Sequence, residues 1–152
     1  MIDRSRIGFC TTPSTVTVDP WRVKLFCQAI GATDAAHWDL EAAQRLGLKG
    51  CPVPPTFLKA LETDHFTSAS LLQLLQVPVR SVLHAEQSYE FLQPVYAGDR
   101  LEVKRTITDI YDKREGALSF IVVGTEFCRD DAKVCESRQT IVARNSKEVG
   151  KP

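Results

Sequence analysis

The feature that most constrains this chain is a change of pattern near Val79. Before it, apolar residues recur at helical spacing between turn residues; after it, four segments alternate at period two and are rich in Val, Ile, Thr, Tyr and Phe. In "DPWRVKLFCQAIG", Asp19 is a good N-cap, Pro20 falls at the first helical position and Gly31 can end the helix. Val23, Phe26, Cys27 and Ile30 are the predicted inner face. "DLEAAQRLG" reads as a shorter helix capped by Asp39, with Ala43 and Leu46 inward and Gly47 as its stop. "CPVPPTFLKALE" opens a helix at Pro55 or Thr56, and "SASLLQLLQVP" is a leucine-rich turn or helix closed by Pro78. The strands are "SVLHAEQSYEFL", "DRLEVKRTITDIYD", "ALSFIVVGTEFCR" and "AKVCESRQTIVAR", with Leu101, Val103 and Ile107 on one face and hairpin turns at "DKREG" and "RDDAK". "TVTV" is a candidate extra strand. Helices first and long antiparallel strands after them predict an α+β layer, a curled sheet packed on helix. Such a sheet of about five strands has edges to manage, and edge-to-edge pairing of two subunits is one remedy.

A chain of 152 residues fits one domain, 1–152, with a polar tail after about residue 145. Basic and acidic residues balance at 19 each and the basic ones are scattered, which argues against a nucleic-acid or membrane-surface partner. No apolar run approaches the ~18 residues of a membrane span, and "MIDRSRIGF" has no signal-peptide core. Five Cys, an odd number without a CxxC pair, suggest free thiols, no metal site and a cytoplasmic location. A hairpin could bring Cys128 and Cys135 face to face, but a reducing compartment disfavours a disulfide there.

Several stretches together resemble the MaoC-like dehydratase family, and more narrowly its branch related to the dehydratase domain of fungal-type fatty acid synthase. They are "GATDAAHWDLEAA", "PPTFLKAL", and the paired "LHAEQ" and "AGDRL" strands; the likeness runs from about Ile7 to Asn145. The resemblance implies a hot-dog fold, a long antiparallel sheet wrapped around a central helix, and a dimer with a continuous sheet. It implies reversible dehydration of a (3R)-3-hydroxyacyl thioester to a trans-2-enoyl thioester, carried on coenzyme A or acyl carrier protein, with no metal or redox cofactor.

That chemistry needs a base for the proton beside the thioester, an acid for the leaving hydroxyl, and donors for the growing charge on the thioester oxygen. On the resemblance, His37 is the base and Asp34 handles the hydroxyl or the attacking water; the two stand three apart in a non-helical link. Pro55, Thr56 and Phe57 form the helix mouth offered to the substrate, and His84 on its strand is a further substrate-binding candidate. In the best-known relatives the catalytic Asp directly follows the glycine; here that place is Ala32, while Gly31, Thr33 and Asp34 fit the narrower branch's Gly-x-Thr-Asp.

Each candidate also has a plainer reading. Asp34 suits a turn, His37 a surface position before the Asp39 cap, and Phe57 with the leucines of "LLQLL" suits core or lid. His84 and Glu86 share a face by parity and suit a buried structural pair. His65 reads as a loop residue, Asp99 as a turn residue, Lys113 and Arg114 as a solvated hairpin tip, and Cys27 as a buried small apolar residue. The leading functional expectation is a dehydratase or hydratase of acyl thioesters acting as a homodimer. The alternative is a non-catalytic acyl-chain-binding subunit in a heterodimer with another hot-dog chain. A thioesterase on the same fold is disfavoured by the Gly-x-Thr-Asp and Pro-Pro-Thr-Phe pieces.

Overall fold

The computed structural model describes residues 2–64 and 66–145. The His65 reading and the polar tail beyond residue 145 lie outside the described residues. The elements run β1 (Ser14–Thr17), α1 (Pro20–Ala29), α2 (Leu40–Arg45), α3 (Leu58–Thr63), α4 (Ser68–Leu74), β2 (Val82–Phe91), β3 (Arg100–Lys113), β4 (Leu118–Arg129) and β5 (Ala132–Arg144). The five strands form one antiparallel sheet in the order β1-β3-β4-β5-β2, so β1 and β2 are its edges. This is the α+β hot-dog arrangement, with α3 against the inner face of the sheet.

Local chemistry explains the elements. Asp19 Oδ1 accepts from the Trp21 and Arg22 N–H groups at 2.7 and 3.4 Å, and Pro20 loses no needed donor at the first position of α1. Asp39 caps α2 in the same way, accepting from Glu41 and Ala42. The β4–β5 hairpin turns on Asp130 and Asp131, both at positive φ (50° and 64°), the conformation a tight two-residue turn demands.

Four details differ from expectation. Ile30 and Leu46 were placed on inner helix faces, yet they are 52% and 62% exposed because each sits at the helix end, where the chain turns away. Cys128 pairs in register with Lys133, and Cys135 with Phe127, so the two thiols are not opposed and remain free. A bulge between His84 and Glu86 breaks the parity that would have put them on one face, and both are exposed rather than buried.

Across the inner face, the register stacks the core in layers. One row, Val103–Phe127–Cys135, is apolar and belongs to a cluster with Phe57, Leu58 and Leu61. Another, Ile110–Ile121–Ile141, belongs to a second cluster with Leu71 and Leu75. Between them runs a polar belt: Arg105, Thr125, Ser137 and Tyr89 lie side by side on β3, β4, β5 and β2. Gln139 and Gln87 form part of the adjoining row. α3 turns Glu62 and Lys59 onto this belt. Glu62, whose side chain is 0% exposed, accepts from Ser137 Oγ and from Lys59 Nζ at 2.6 Å. Lys59 Nζ and Arg105 Nη2 both donate to Gln139 Oε1, at 2.8 and 3.1 Å.

Candidate functional site

Asp34 and His37 lie in the link between α1 and α2. The link exists because Gly31, at φ 69°, ends α1 and Asp39 starts α2. Asp34 is exposed and caps the short 3-10 turn Ala35–His37: its Oδ1 accepts from the Ala36 N–H at 2.9 Å. The His37 ring bonds to a different segment. Its Nδ1 lies 2.6 Å from the Pro52 carbonyl oxygen, so Nδ1 carries the proton and donates, and a neutral ring leaves Nε2 with its lone pair. His37 lines a cleft of about 210 Å³ with Trp21, Lys24, Trp38, Cys51 and Ala97. No carboxylate lines that cleft among the described residues, and Asp34 lines none of the clefts described here. Cys51, beside His37, has its thiol pushed up, first by burial and then by the negative charge of Asp39.

The proline-rich mouth of α3 adjoins this cleft through the segment Cys51–Pro55. Pro54 and Pro55 have no N–H to give, and the Phe57 N–H donates to the Pro54 carbonyl at 2.9 Å. Thr56, exposed between them, is left as the backbone donor at the mouth. Pro55 lines a second, mostly apolar groove of about 340 Å³ with Pro52, Val53, Phe91, Leu92 and Val95. Phe57 turns away from it: it is 1% exposed and packs edge-on against Phe26, ring centres 5.5 Å apart. Burying such a ring stabilises the fold by roughly 1.5–3 kcal/mol.

His84 is not brought to this neighbourhood. It is exposed near the start of β2, its Nε2 3.1 Å from the Glu86 carbonyl, while the groove meets the same strand at Phe91. Seven residues of strand separate the two, roughly 23 Å at ~3.3 Å per residue. Asp39 and Asp99 are occupied elsewhere: Asp39 caps α2, and Asp99 accepts from the Tyr96 N–H at 2.9 Å and pairs with Arg129 at 2.7 Å. Lys113 sits over the stacked rings of Tyr111 and Phe120 at the hairpin tip.

Among the described residues, Glu62, Arg105 and Lys59 form a group of charged side chains inside the fold that is not among the candidates read from the sequence. Sequence carried a signal for it. Arg105 shares parity with Leu101, Val103 and Ile107, and Glu62 is one helical turn from Leu58. Charges at core positions of two amphipathic patterns mark a buried polar network.

Among known proteins, the family model described as "FAS1-like, dehydratase domain region" matches residues 5–137. A UPF0336 protein of Streptomyces griseus is 34% identical over 108 residues, 70% of this chain and 71% of the relative. The fold superposes on the HadBC (3R-hydroxyacyl-ACP dehydratase) complex of Mycobacterium tuberculosis with TM-score 0.77 and 24% identity, covering 91% of this chain and 97% of that one. It also superposes on a MaoC-like dehydratase with TM-score 0.75 and 25% identity, covering 93% of this chain and 43% of that one. The matched model spans most of the sequence, the relative shares over a third of the aligned residues, and the sheet wraps its helix as in the dehydratases: the chain belongs to the FAS1-like, dehydratase domain region family, within the MaoC-like hot-dog fold.

Proposed function

We propose that this chain is the acyl-chain-binding subunit of a heteromeric hot-dog dehydratase, and that the acid–base pair acting on the thioester comes from a partner hot-dog chain. The reaction served is reversible dehydration of a (3R)-3-hydroxyacyl thioester to the trans-2-enoyl thioester, on coenzyme A or acyl carrier protein, without metal or redox cofactor. The observation that carries this is that the two candidate catalytic groups share no cleft. Asp34 is an exposed cap, Ala32 offers no carboxylate in its place, and His37 faces a cleft without an acid. Proton transfer by a positioned group contributes ~10²–10⁴-fold to such a reaction, and only within hydrogen-bond reach of the proton it moves. What the chain does present is an apolar groove beside the α3 mouth, bordered by Pro55, Phe91 and Leu92, where an acyl chain would lie against hydrocarbon. The HadBC dehydratase, which the fold resembles, is named as a complex, which supports a heteromeric reading.

A second reading, a self-sufficient hydratase, draws on one observation. The Pro52 carbonyl fixes the His37 ring in the tautomer a general base needs.

One experiment separates the two. The purified chain is offered trans-2-octenoyl-CoA, alone and after co-expression with a hot-dog chain that carries an Asp–His pair, and loss of the enone absorbance is followed. The subunit reading expects no turnover alone, turnover in the complex, and retained turnover in the complex when His37 is replaced by Ala. Turnover by the chain alone that His37→Ala abolishes would replace the subunit reading with the second.

A further inference from the structure

A third cleft lies by the C-terminal half of α3, lined by its Leu61 and Glu62. It has a volume of about 360 Å³ and shares no lining residue with the His37 cleft or the Pro55 groove. Phe9, Phe66, Leu61 and Val103 give it apolar walls, Thr12 lies at its exposed rim, and Arg105 reaches it from the polar belt.

Arg105 is an unusual group to find there. It is 2% exposed, and no carboxylate approaches it within 4.0 Å among the described residues. One terminal nitrogen donates to the Phe66 carbonyl at 2.7 Å and the other to Gln139 at 3.1 Å, while Nε has no hydrogen-bond partner. Glu62 also lines the cleft, but its two oxygens already accept from Ser137 and Lys59. The belt therefore sets two cations, Lys59 and Arg105, against one carboxylate. Burial pulls the Arg105 guanidinium below its usual value, and Glu62 offsets this only in part. The Phe66 ring, 5.7 Å from the guanidinium carbon, helps to hold the fork in place.

We propose that this cleft is a second binding site, for a small organic carboxylate with a short apolar body, whose carboxylate pairs with Arg105. A buried planar guanidinium matches a carboxylate better than any other side chain does, and an added anion would balance the belt's charge. The volume falls within the range of small-molecule sites, and the walls suit an aliphatic or aromatic body. The site stands apart from the dehydratase reading and does not depend on it.

The test uses hexanoate as probe, with hexan-1-ol and sodium chloride as controls. Two signals are read: the thermal midpoint, and the alkylation rate of Cys10, an exposed thiol that lines this cleft while the other four thiols are buried or half-buried. Hexanoate should raise the midpoint and, at twice its Kd, slow Cys10 alkylation by about threefold, since about a third of the sites are then empty. The controls should do neither, and Arg105→Gln should abolish both effects. If Arg105→Gln does not fold, Thr12→Trp, placed at an exposed rim position, should block the cleft and remove both effects. Equal protection by hexan-1-ol, no protection by hexanoate, or protection that survives the variant that folds would each overturn the proposal.

Discussion

Two carboxylates with the same formal charge sit in opposite surroundings. Asp34 lies in the link with the Gly-x-Thr-Asp resemblance, yet it faces solvent and holds one backbone N–H. Glu62 lies in no motif, yet it is fully buried and joins α3 to the sheet through Ser137 and Lys59. The link's two carboxylate caps reach neighbours two and three residues away, whereas Arg105 and Lys59 of the belt meet Gln139 across 34 and 80 positions. Motif density and energetic weight are therefore separate properties in this fold. The link can change with small local cost, whereas the belt ties α3 to β3 and β5.

The largest effect that would sharpen this contrast is at Glu62. Glu62→Ala leaves Lys59 and Arg105 without their carboxylate inside the fold, and breaking a buried pair in this way costs about 3–5 kcal/mol. Urea unfolding should report that loss, and a cost below about 1 kcal/mol would place the belt on the same footing as the link. The intermediate effect is at the caps. Asp34→Ala and Asp39→Ala should each cost about 1 kcal/mol, the usual value of an N-cap. Asp34→Ala should leave turnover of an assembled dehydratase essentially unchanged; a loss of ~10²-fold would identify Asp34 as a proton carrier and break the contrast. The smallest effect concerns acid. The Asp112 carboxyl is held below its usual value, first by the hydrogen bond from Ser119 Oγ at 2.5 Å and then by Arg4 at 3.1 Å. A lowered folded pKa contributes stability that is present above the unfolded value, about 3.9, and is lost as pH falls through the folded one. Asp112→Asn should therefore lower stability at neutral pH and flatten its decline below about pH 4, which unfolding at two pH values measures.

Much of the architecture was legible because it is written in short-range chemistry. Asp19 with Pro20, Asp39 and the paired Asp130–Asp131 announce their caps and turn, and period-two alternation announces β3, β4 and β5. Legibility failed where a local rule was cut short. The bulge after His84 defeated parity, and the ends of α1 and α2 exposed Ile30 and Leu46. Within the candidate site, the Cys51–Pro55 segment joins His37 to the α3 mouth, so two of the stretches read from the sequence adjoin in space. Sequence offered no means to see that Asp34 turns outward, because a carboxylate three residues from an imidazole satisfies a cap and a catalytic pair equally well. The belt stayed hidden for a different reason. Arg105 and Gln139 meet each other, and Glu62 meets Ser137, only once α3, β3 and β5 are assembled.

The edge strand β2 has one further consequence. Ten residues long, it pairs on one side with β5 and, among the described residues, has no strand on its other flank, with Leu83 69% exposed along it. Were a strand of the proposed partner subunit to close that flank, folding and assembly would become one equilibrium governed by mass action. Diluting the protein would then act as a mild denaturant, and supplying the matching subunit would act as a stabiliser, with no residue altered.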